Sequence, residues 1–291
     1  MSTLNRNTAT ARAAKEVLID SLDKRWKKYR SEFKRCRAEF SNEAVHDLRI
    51  AARRMLAILQ LLNSISPRPR LQKLSRAFKD QLDEFDDLRD TQVMLAEISE
   101  TMQELPQLQK LQQHLQTDEI NLLGVLRKKL KSVDLSEIKE RLRKTRESIE
   151  SDASRKLPAQ ILQAVDDAFL LTKQPHQWVD PAQPATIHRV RLAFKIFRYM
   201  VEIVNPLLKN FPDDHFERMN AYQSLMGEIQ DIEVIMQTLA DFSAPASFDA
   251  EPVRRYYERR HAEATSTYMK SMNLIEQFWR SALDKPLPWE K

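Results

Sequence analysis

The chain of 291 residues contains only two glycines, Gly124 and Gly227. Phosphate-cradling loops, tight β-hairpins and doubly wound sheets depend on glycine, because they need backbone conformations that other residues resist. Neither a G-x-G-x-x-G fingerprint nor a Walker-type loop can be written in this sequence, so Rossmann and P-loop folds are excluded. No stretch shows the alternation of a strand. The sequence therefore predicts an all-α protein built as antiparallel bundles.

Apolar residues recur every three or four positions along most of the chain, and prolines separate the helical stretches. Ser41 and Thr186 are each predicted to be the N-cap of a helix, since a hydroxyl oxygen can accept from the first turn. The predicted helices span about 18–40, 42–62, 71–104, 107–131, 135–171 with a break near Pro158, 186–209, a stretch starting at Pro212, and a last stretch from about 252 to 283.

Two parts of the chain resemble each other, which indicates an internal duplication. The sequence VHDLRIAARR at 45–54 matches IHRVRLAFKI at 187–196, with an offset of 142 residues at the histidines. About forty residues after each histidine, LRDTQVM at 88–94 matches IQDIEVI at 229–235, with an offset of 141 residues at the aspartates. We therefore predict two similar helical bundles related by an internal pseudo-symmetry.

The segment 173–185 contains three prolines and is predicted to join the two halves. A single domain is expected over 10–283, with halves at about 10–172 and 186–283. No apolar run approaches ~20 residues and the first residues lack a signal-peptide core, so no membrane partner is expected and the protein is predicted to be cytoplasmic.

The duplicated segments each predict a helix with an apolar side and a cationic side, because a residue advances by about 100° around a helix. The cationic residues fall within arcs of about 60° in the first segment, with one arginine at its flank, and about 80° in the second. Guanidinium groups offer planar sets of donors that suit phosphate oxygens, and a helix N-terminus adds partial positive charge. The first ridge comprises His46, Arg49, Arg53 and Arg54, and the second ridge comprises His188, Arg191, Lys195 and Arg198.

A basic run at 24–37 concentrates the excess charge. It contains eight basic residues and one acid, Glu32, a net charge of +7, whereas the whole chain has a formal net charge of +5. Such concentration favours an anionic partner. The single cysteine, Cys36, excludes a disulfide framework and lies on the apolar stripe of its helix, so a buried thiol is expected. Outer anion contacts are predicted at Lys27, Lys28, Arg30 and Lys34, and near the C-terminus at Arg255, Arg259 and Arg260.

Other functions fit the sequence less well. Glu43 with His46 and Glu258 with His261 match the Glu-x-x-His pattern of di-iron bundles, but the second pair lies outside the duplicated frame and arginines surround the histidines. A histidine that accepts a phosphoryl group lacks a visible activating partner. A nucleic-acid binder is the main alternative, although the aromatic residues needed for base stacking fall mostly on apolar faces.

The doubled pattern resembles the CHAD domain, a histidine-containing α-helical domain built from two similar bundles. The likeness extends from about Leu18 to Trp279. It implies a non-catalytic module that binds inorganic polyphosphate, without a cofactor, in a central basic cavity lined by both histidine-bearing helices. It also implies a location in the cytoplasm, free or on polyphosphate granules. The residues that carry it are Val45, His46, Arg49, Arg53 and Arg54; Leu88, Arg89, Asp90 and Val93; Ile187, His188, Arg191 and Lys195; and Arg198, Tyr199 and Glu202.

Four positions depart from the family pattern. Leu56 and Ile196 stand where many members carry a basic residue, Asp86 replaces a glycine, and Gln230 replaces an arginine. These changes make the expected cavity less basic. No Glu-x-Glu occurs, so a CYTH-type triphosphatase domain, with which the family is sometimes fused, is absent from this sequence.

Overall fold

The fold was analysed from a computed structural model, which describes residues 3–242, 249–282 and 284–290. Within these residues the chain forms ten α-helices, short 3₁₀ turns and no strand, which confirms the all-α prediction. The α-helices are α1 (Thr3–Glu39), α2 (Asn42–Ile65), α3 (Pro69–Glu84), α4 (Asp86–Thr101), α5 (Gln109–Ser132), α6 (Ser136–Glu150), α7 (Leu157–His176), α8 (Pro184–Val204), α9 (His215–Asp241) and α10 (Glu251–Ser271).

Helices α1, α2, α7 and α8 form the centre of the molecule. α1 packs along α2 and α7 packs along α8, and the two pairs contact each other through α2–α7, α1–α7 and α2–α8. On the outside, α3 and α4 contact α2, α9 contacts α8, and α4 touches α9. This arrangement places the two duplicated segments, on α2 and α8, next to each other. The duplication itself stays a prediction, which the matched packing of the two pairs favours.

The N-cap of α2 was predicted correctly. Ser41 has an extended backbone, and its Oγ accepts a hydrogen bond from the backbone N–H of Ala44 at 3.2 Å. The prediction for Thr186 was wrong: α8 begins at Pro184, and the Thr186 hydroxyl donates to the backbone oxygen of Gln183 at 2.7 Å. Proline at the first helical position removes a donor that would lack a partner, so the N-cap is Gln183, three residues before the predicted cap.

Several predicted helix bounds were also wrong. The predicted helix 71–104 is two helices, because the chain turns at Phe85, whose ring is buried and whose N–H bonds to the Leu82 carbonyl. α7 continues through Pro175 to His176, so the connection between α7 and α8 is shorter than the predicted linker 173–185. α10 ends at Ser271 and continues as a 3₁₀ helix, and the predicted end at Leu283 lies outside the described residues.

The core of the second half is aromatic, and a buried carboxylate ties the C-terminal segment to it. Phe194 and Phe197 of α8 pack against the rings of Phe278 and Trp279 respectively. Asp166 of α7 accepts hydrogen bonds from Trp279 Nε1 at 2.7 Å and from Arg280 Nε at 2.8 Å and Nη2 at 2.5 Å. Since Asp166 is 5% exposed, these bonds replace the water that the carboxylate loses on folding. These bonds fix the C-terminal segment, whose Phe278 and Trp279 pack against α8.

Candidate functional site

The two ridges face each other where α2 and α8 touch, and their charged side chains converge in a cationic cluster of Arg49, Arg53, Arg191 and Lys195. Lys195 shows this convergence most clearly. Burial lowers the pKa of its amine to about 7, and the positive charges of Arg53, Arg191, Arg49 and Arg198 act in the same direction. Both helices therefore contribute cations to one small volume.

Arg49 is the member of the cationic cluster whose charge is compensated. Its side chain is 4% exposed; Nη1 donates to the backbone oxygen of Leu82 at 2.9 Å, and Nη2 donates to Asp86 Oδ1 at 2.5 Å. The break between α3 and α4 provides both acceptors, because it leaves the Leu82 carbonyl and the first residue of α4 directed at α2. Arg49 is thus held in a fixed position.

Arg53, Arg191 and Lys195 have no ion pair or hydrogen bond to any residue that the structure describes. Burial lowers the pKa of Arg53 to about 10, and the charge of Arg49 acts in the same direction. The Nε of Arg191 is buried without a hydrogen-bond partner. Desolvated charges that lack partners are costly. The cluster therefore has a strong tendency to take up an anion.

The two histidines lie at the N-terminal ends of the ridges. Burial lowers the pKa of His46, and the charge of Arg89 lowers it further; burial and then Arg191 act in the same way on His188. Both imidazoles are therefore neutral at pH 7 in the free protein. The Nδ1 of His188 is buried without a hydrogen-bond partner, so this ring has an unused hydrogen-bonding position.

Two carboxylates, Asp90 of α4 and Asp231 of α9, border the cluster at the histidine end. Burial raises the pKa of both; the charge of Asp86 adds to the rise for Asp90, and the charge of Asp90 adds to the rise for Asp231. The positive charges of Arg191 and Arg89 oppose the rise for Asp231. These are the aspartates that match in the duplicated sequence. Arginine charges act on both carboxylates, but neither side chain forms an ion pair or hydrogen bond with a described residue. That such an aspartate positions a neighbouring cation stays an interpretation.

The opposite end of the two ridges is occupied by Glu202 of α8. Arg198 donates from Nη1 to Glu202 Oε1 at 3.0 Å and from Nε to Gln223 at 3.2 Å, and Arg54 Nε lies 3.6 Å from Glu202 Oε2. Burial lowers the pKa of Arg25, and the negative charge of Glu202 opposes this shift, so Arg25 of α1 lies nearby. Arg54 and Arg198, which were predicted to contact the anion, therefore already interact with the carboxylate of Glu202.

The predicted outer contacts of α1 do not reach the cluster. Lys28 pairs with Glu32 at 2.6 Å, Arg30 stacks over Trp26, and Lys27 and Lys34 are exposed. Arg25, which precedes them in the basic run, is the residue that turns toward the ridges. The periodicity could not select it, because the orientation of α1 is set by its packing on α2.

The predicted contacts of α10 are separated from one another. Arg260 forms an ion pair with Glu97 of α4 and lies 3.7 Å from Glu228 of α9. Arg255 pairs with Glu251, and Arg259 lies over the ring of Tyr256. Only Arg260 borders the groove between α4 and α9, whereas Arg255 and Arg259 line a different depression.

The groove between α4 and α9 has a volume of about 570 Å³ and leads to the cluster at Arg191. Its walls carry two further functional candidates that were not predicted as site residues, Arg89 and Gly227. Arg89 was part of the repeated motif, but it was not predicted as a site residue because the second half has Gln230 at the matching position. Gly227 carries no side chain and gives no chemical signal in a sequence.

Among the described residues, no set of three or more His, Cys, Asp or Glu side chains is arranged to hold a metal ion. No helix among the described residues has the length and apolar character to cross a membrane. Cys36 is fully buried, as expected, and burial raises the pKa of its thiol to about 12.

Comparison with known proteins agrees with this architecture. The family model of the CHAD domain matches residues 20–240. The crystal structure of the CHAD domain from the plant Ricinus communis is similar to this chain, with a TM-score of 0.64 and 16% sequence identity over 90% of each chain. A search of curated proteins returned no match. The fold and the site thus define an all-α domain with a cationic cluster between two matched helices. The chain belongs to the CHAD-domain family, which confirms the resemblance noted in its sequence.

Proposed function

We propose that this CHAD domain binds inorganic polyphosphate without catalysing a reaction on it, in a central basic cavity between α2 and α8. The observation that supports this most strongly is the trio of partly buried cations, Arg53, Arg191 and Lys195, without partners among the described residues. A chain of phosphates supplies several closely spaced negative charges at once. It can therefore compensate cations on both helices simultaneously.

The neutral histidines and the guanidinium groups have complementary roles in this proposal. Arg53 and Arg191 donate several hydrogen bonds each to phosphate oxygens, and such charge-assisted bonds are roughly twice as strong as neutral ones. His46 and His188 each donate one N–H at the entrance of the ridges, and a bound polyanion favours their protonation. Arg89 extends the cationic site toward α4, whereas the groove beyond it also carries Glu97, Glu100 and Glu228 and does not continue the anion site.

The absence of catalysis is part of the proposal. The carboxylates beside the cluster are Asp86, which pairs with Arg49, and Asp90 and Asp231, which lie among arginine charges. Phosphoryl transfer generally relies on carboxylates that hold Mg²⁺ against the phosphates. Asp86 is paired with Arg49 instead, and the arginine charges near Asp90 and Asp231 would repel a dication. We therefore expect no steady release of orthophosphate from polyphosphate or triphosphate.

A nucleic-acid ligand is less well supported. Single-strand binders combine a basic groove with exposed aromatic rings on which bases stack. Here the large aromatic side chains near the ridges, Phe194, Phe197 and Tyr222, are fully buried. The exposed Trp178 lies two residues beyond the end of α7 and does not line the groove between α4 and α9.

The proposal is tested by titrating the protein with long-chain polyphosphate, RNA and single-stranded DNA at equal phosphate concentration and equal salt. We expect polyphosphate to bind most tightly. The matched control is a variant with Lys139 and Lys144 of α6 replaced by alanine, since both are exposed and outside the ridges, and this variant should bind normally. RNA binding as tight as polyphosphate binding, or orthophosphate release proportional to protein concentration, would overturn the proposal.

A further inference from the structure

A second convergence of arginines lies around the carboxylate of Glu202, at the end of the ridges opposite the histidines. Arg198 of α8 donates from Nη1 to Glu202 Oε1 at 3.0 Å, and Nε of Arg54 on α2 lies 3.6 Å from Glu202 Oε2. Arg25 of α1 is close enough that the charges of Glu202 and Arg54 both act on its guanidinium group. Three helices therefore direct cations at this carboxylate.

The carboxylate of Glu202 satisfies these arginines only in part. The Nε atoms of Arg25 and Arg54 are buried and have no hydrogen-bond partner among the described residues. Arg25 donates from Nη1 to the hydroxyl of Ser21 at 3.1 Å, an acceptor that carries no charge. Because buried donors without acceptors are costly, this end of the ridges has hydrogen bonds available for another anion.

Arg198 is held in place by contacts other than the one with Glu202. Its Nε donates to Gln223 Oε1 at 3.2 Å, and its guanidinium carbon lies 4.6 Å from the centre of the Tyr199 ring. The Arg198 side chain is 9% exposed. Glu202 therefore serves this group of arginines as a counter-charge, and its negative charge is not needed to position Arg198.

Arg198 also connects this group of arginines to the cationic cluster. Lys195 precedes it by about one turn on α8 and Glu202 follows it by about one turn. The charge of Arg198 acts on Lys195, while its Nη1 bonds to Glu202. On α2, Arg53 of the cluster directly precedes Arg54. An anionic chain that extends from the cluster along the ridges therefore meets Glu202.

We propose that Glu202 masks a phosphate subsite. Arg25, Arg54 and Arg198 form this subsite, and the carboxylate occupies the position that the next phosphate of a chain would take. Carboxylate and phosphate oxygens accept from guanidinium groups in the same way, and a side chain attached beside the subsite competes at a high effective concentration. The anion site of the wild-type protein thus ends at Glu202. For its ligand, this inference rests on the proposed function.

The first test is calorimetric titration of Glu202→Gln with long-chain polyphosphate over a series of salt concentrations. Glutamine keeps an acceptor for Arg198 and removes only the charge. We expect binding about tenfold tighter than in wild type, with a steeper dependence on salt, because additional contacts release additional counterions. Glu263→Gln removes an exposed carboxylate of α10, so it is the matched control for net charge and should bind like wild type.

Arg54→Gln distinguishes an unmasked subsite from a general effect of charge. In wild type this change should alter affinity less than about threefold, because Glu202 already occupies Arg54. In the Glu202→Gln background it should abolish most of the gain. Glu202→Asp keeps the charge but withdraws the carboxylate by one methylene, and it should give a smaller gain in affinity. This variant tests the inference even if the glutamine variant folds poorly.

A second readout is independent of polyphosphate. An anion stabilises the folded proteins that bind it, so inorganic pyrophosphate should raise the Tm of Glu202→Gln more than that of Glu263→Gln. Adding Arg54→Gln to Glu202→Gln should cancel the difference.

The outcomes separate this inference from the proposed function. Equal affinities and equal Tm shifts for Glu202→Gln and Glu263→Gln would overturn the inference, as would a gain that Arg54→Gln leaves intact. If pyrophosphate selectively stabilised Glu202→Gln while neither this variant nor wild type bound long-chain polyphosphate, the masked anion subsite would be supported and the proposed function would be wrong.

Discussion

Arg191 lies directly over Gly227, so that a Cβ on this glycine would be 3.6 Å from Nε and 3.7 Å from Nη2 of the arginine. At the equivalent position of the first half stands Asp86, which pairs with Arg49, the counterpart of Arg191. One repeat position therefore neutralises its arginine, whereas the other leaves its arginine exposed to a ligand. Of the three cations without partners among the described residues, Arg191 and Lys195 therefore lie on α8, and Arg53 lies on α2.

Replacing Gly227 by aspartate should weaken polyphosphate binding about tenfold or more. The new carboxylate would pair with Arg191 as Asp86 pairs with Arg49, and a ligand would have to displace it. Gly227→Ala is the matched control: its Cβ meets Arg191 at ordinary contact distances, and alanine inside a helix is favoured over glycine by roughly 1 kcal/mol. The alanine variant should bind normally and unfold at higher urea concentration. Equal binding by both variants would contradict the importance of Arg191.

Arg49→Ala should affect stability more than binding. Arg49 is buried and engaged with Leu82 and Asp86, so its loss removes two hydrogen bonds at the break between α3 and α4. Charged hydrogen bonds contribute about 1.5–3 kcal/mol each at desolvated sites, and the partly exposed Asp86 places this loss near the lower end. Urea denaturation should show this destabilisation, whereas affinity for polyphosphate should fall less than tenfold. A large loss of affinity without a loss of stability would show that Arg49 is a ligand contact instead.

Polyphosphate affinity should decrease as the pH rises above about 7. The pKa of Lys195 is lowered from 10.5 to about 7, and binding needs the protonated amine, so affinity is highest below this value and falls by up to tenfold per pH unit above it. Lys195→Arg keeps the charge throughout and should remove most of the dependence between pH 7 and pH 9. The histidines, whose protonation a bound polyanion favours, add a component that wild type and Lys195→Arg share, so the difference between the two proteins isolates Lys195.

The stability of the free protein should show the opposite trend in the same range. Between about pH 7 and 10.5 the unfolded chain binds a proton at Lys195 that the folded chain does not. Since the unfolded state then holds more protons, the free energy of unfolding rises with pH across this window. Chemical denaturation of wild type and Lys195→Arg at pH 7 and pH 9 measures it. A wild-type slope no larger than that of the variant would contradict the crowded position of Lys195.

Asp166→Ala should destabilise the protein by about 3 kcal/mol or more, since it leaves Arg280 without its ion pair and Trp279 without its acceptor. Asp166→Asn keeps one acceptor for the indole N–H and should be less damaging. Thermal unfolding distinguishes the two variants. Binding of polyphosphate at a temperature where both are folded should be normal, because the residue lies behind α8 and away from the cluster.

The all-α class, the two ridges and the cap at Ser41 could be predicted because they depend on local periodicity and on single residues. The repeat added a long-range element, since two matched helices in a duplicated frame are expected to occupy matched positions. His46, Arg53, His188, Arg191 and Lys195 lie as the helical faces suggested. Whether they bind the ligand stays a prediction.

What could not be predicted depends on contacts between helices. The turn at Phe85 arises where a buried ring and the pairing of Asp86 with Arg49 interrupt an otherwise continuous helical pattern. Arg25 lies near the ridges and its basic neighbours do not, because the packing of α1 on α2 decides which side of α1 faces them. Likewise, Glu202 is an ordinary helical residue in the sequence and becomes a shared partner of Arg54 and Arg198 only in the fold.

The most direct measurement is the affinity of long-chain polyphosphate for Arg53→Gln and Arg191→Gln, determined by calorimetric titration over a series of salt concentrations. One variant removes a cation from α2 and the other from α8, and a shared site predicts that each loses about tenfold to a hundredfold in affinity. Each should also have a flatter dependence on salt, since fewer counterions are exchanged on binding. If one variant bound like wild type while the other lost binding, the two helices would not share a site.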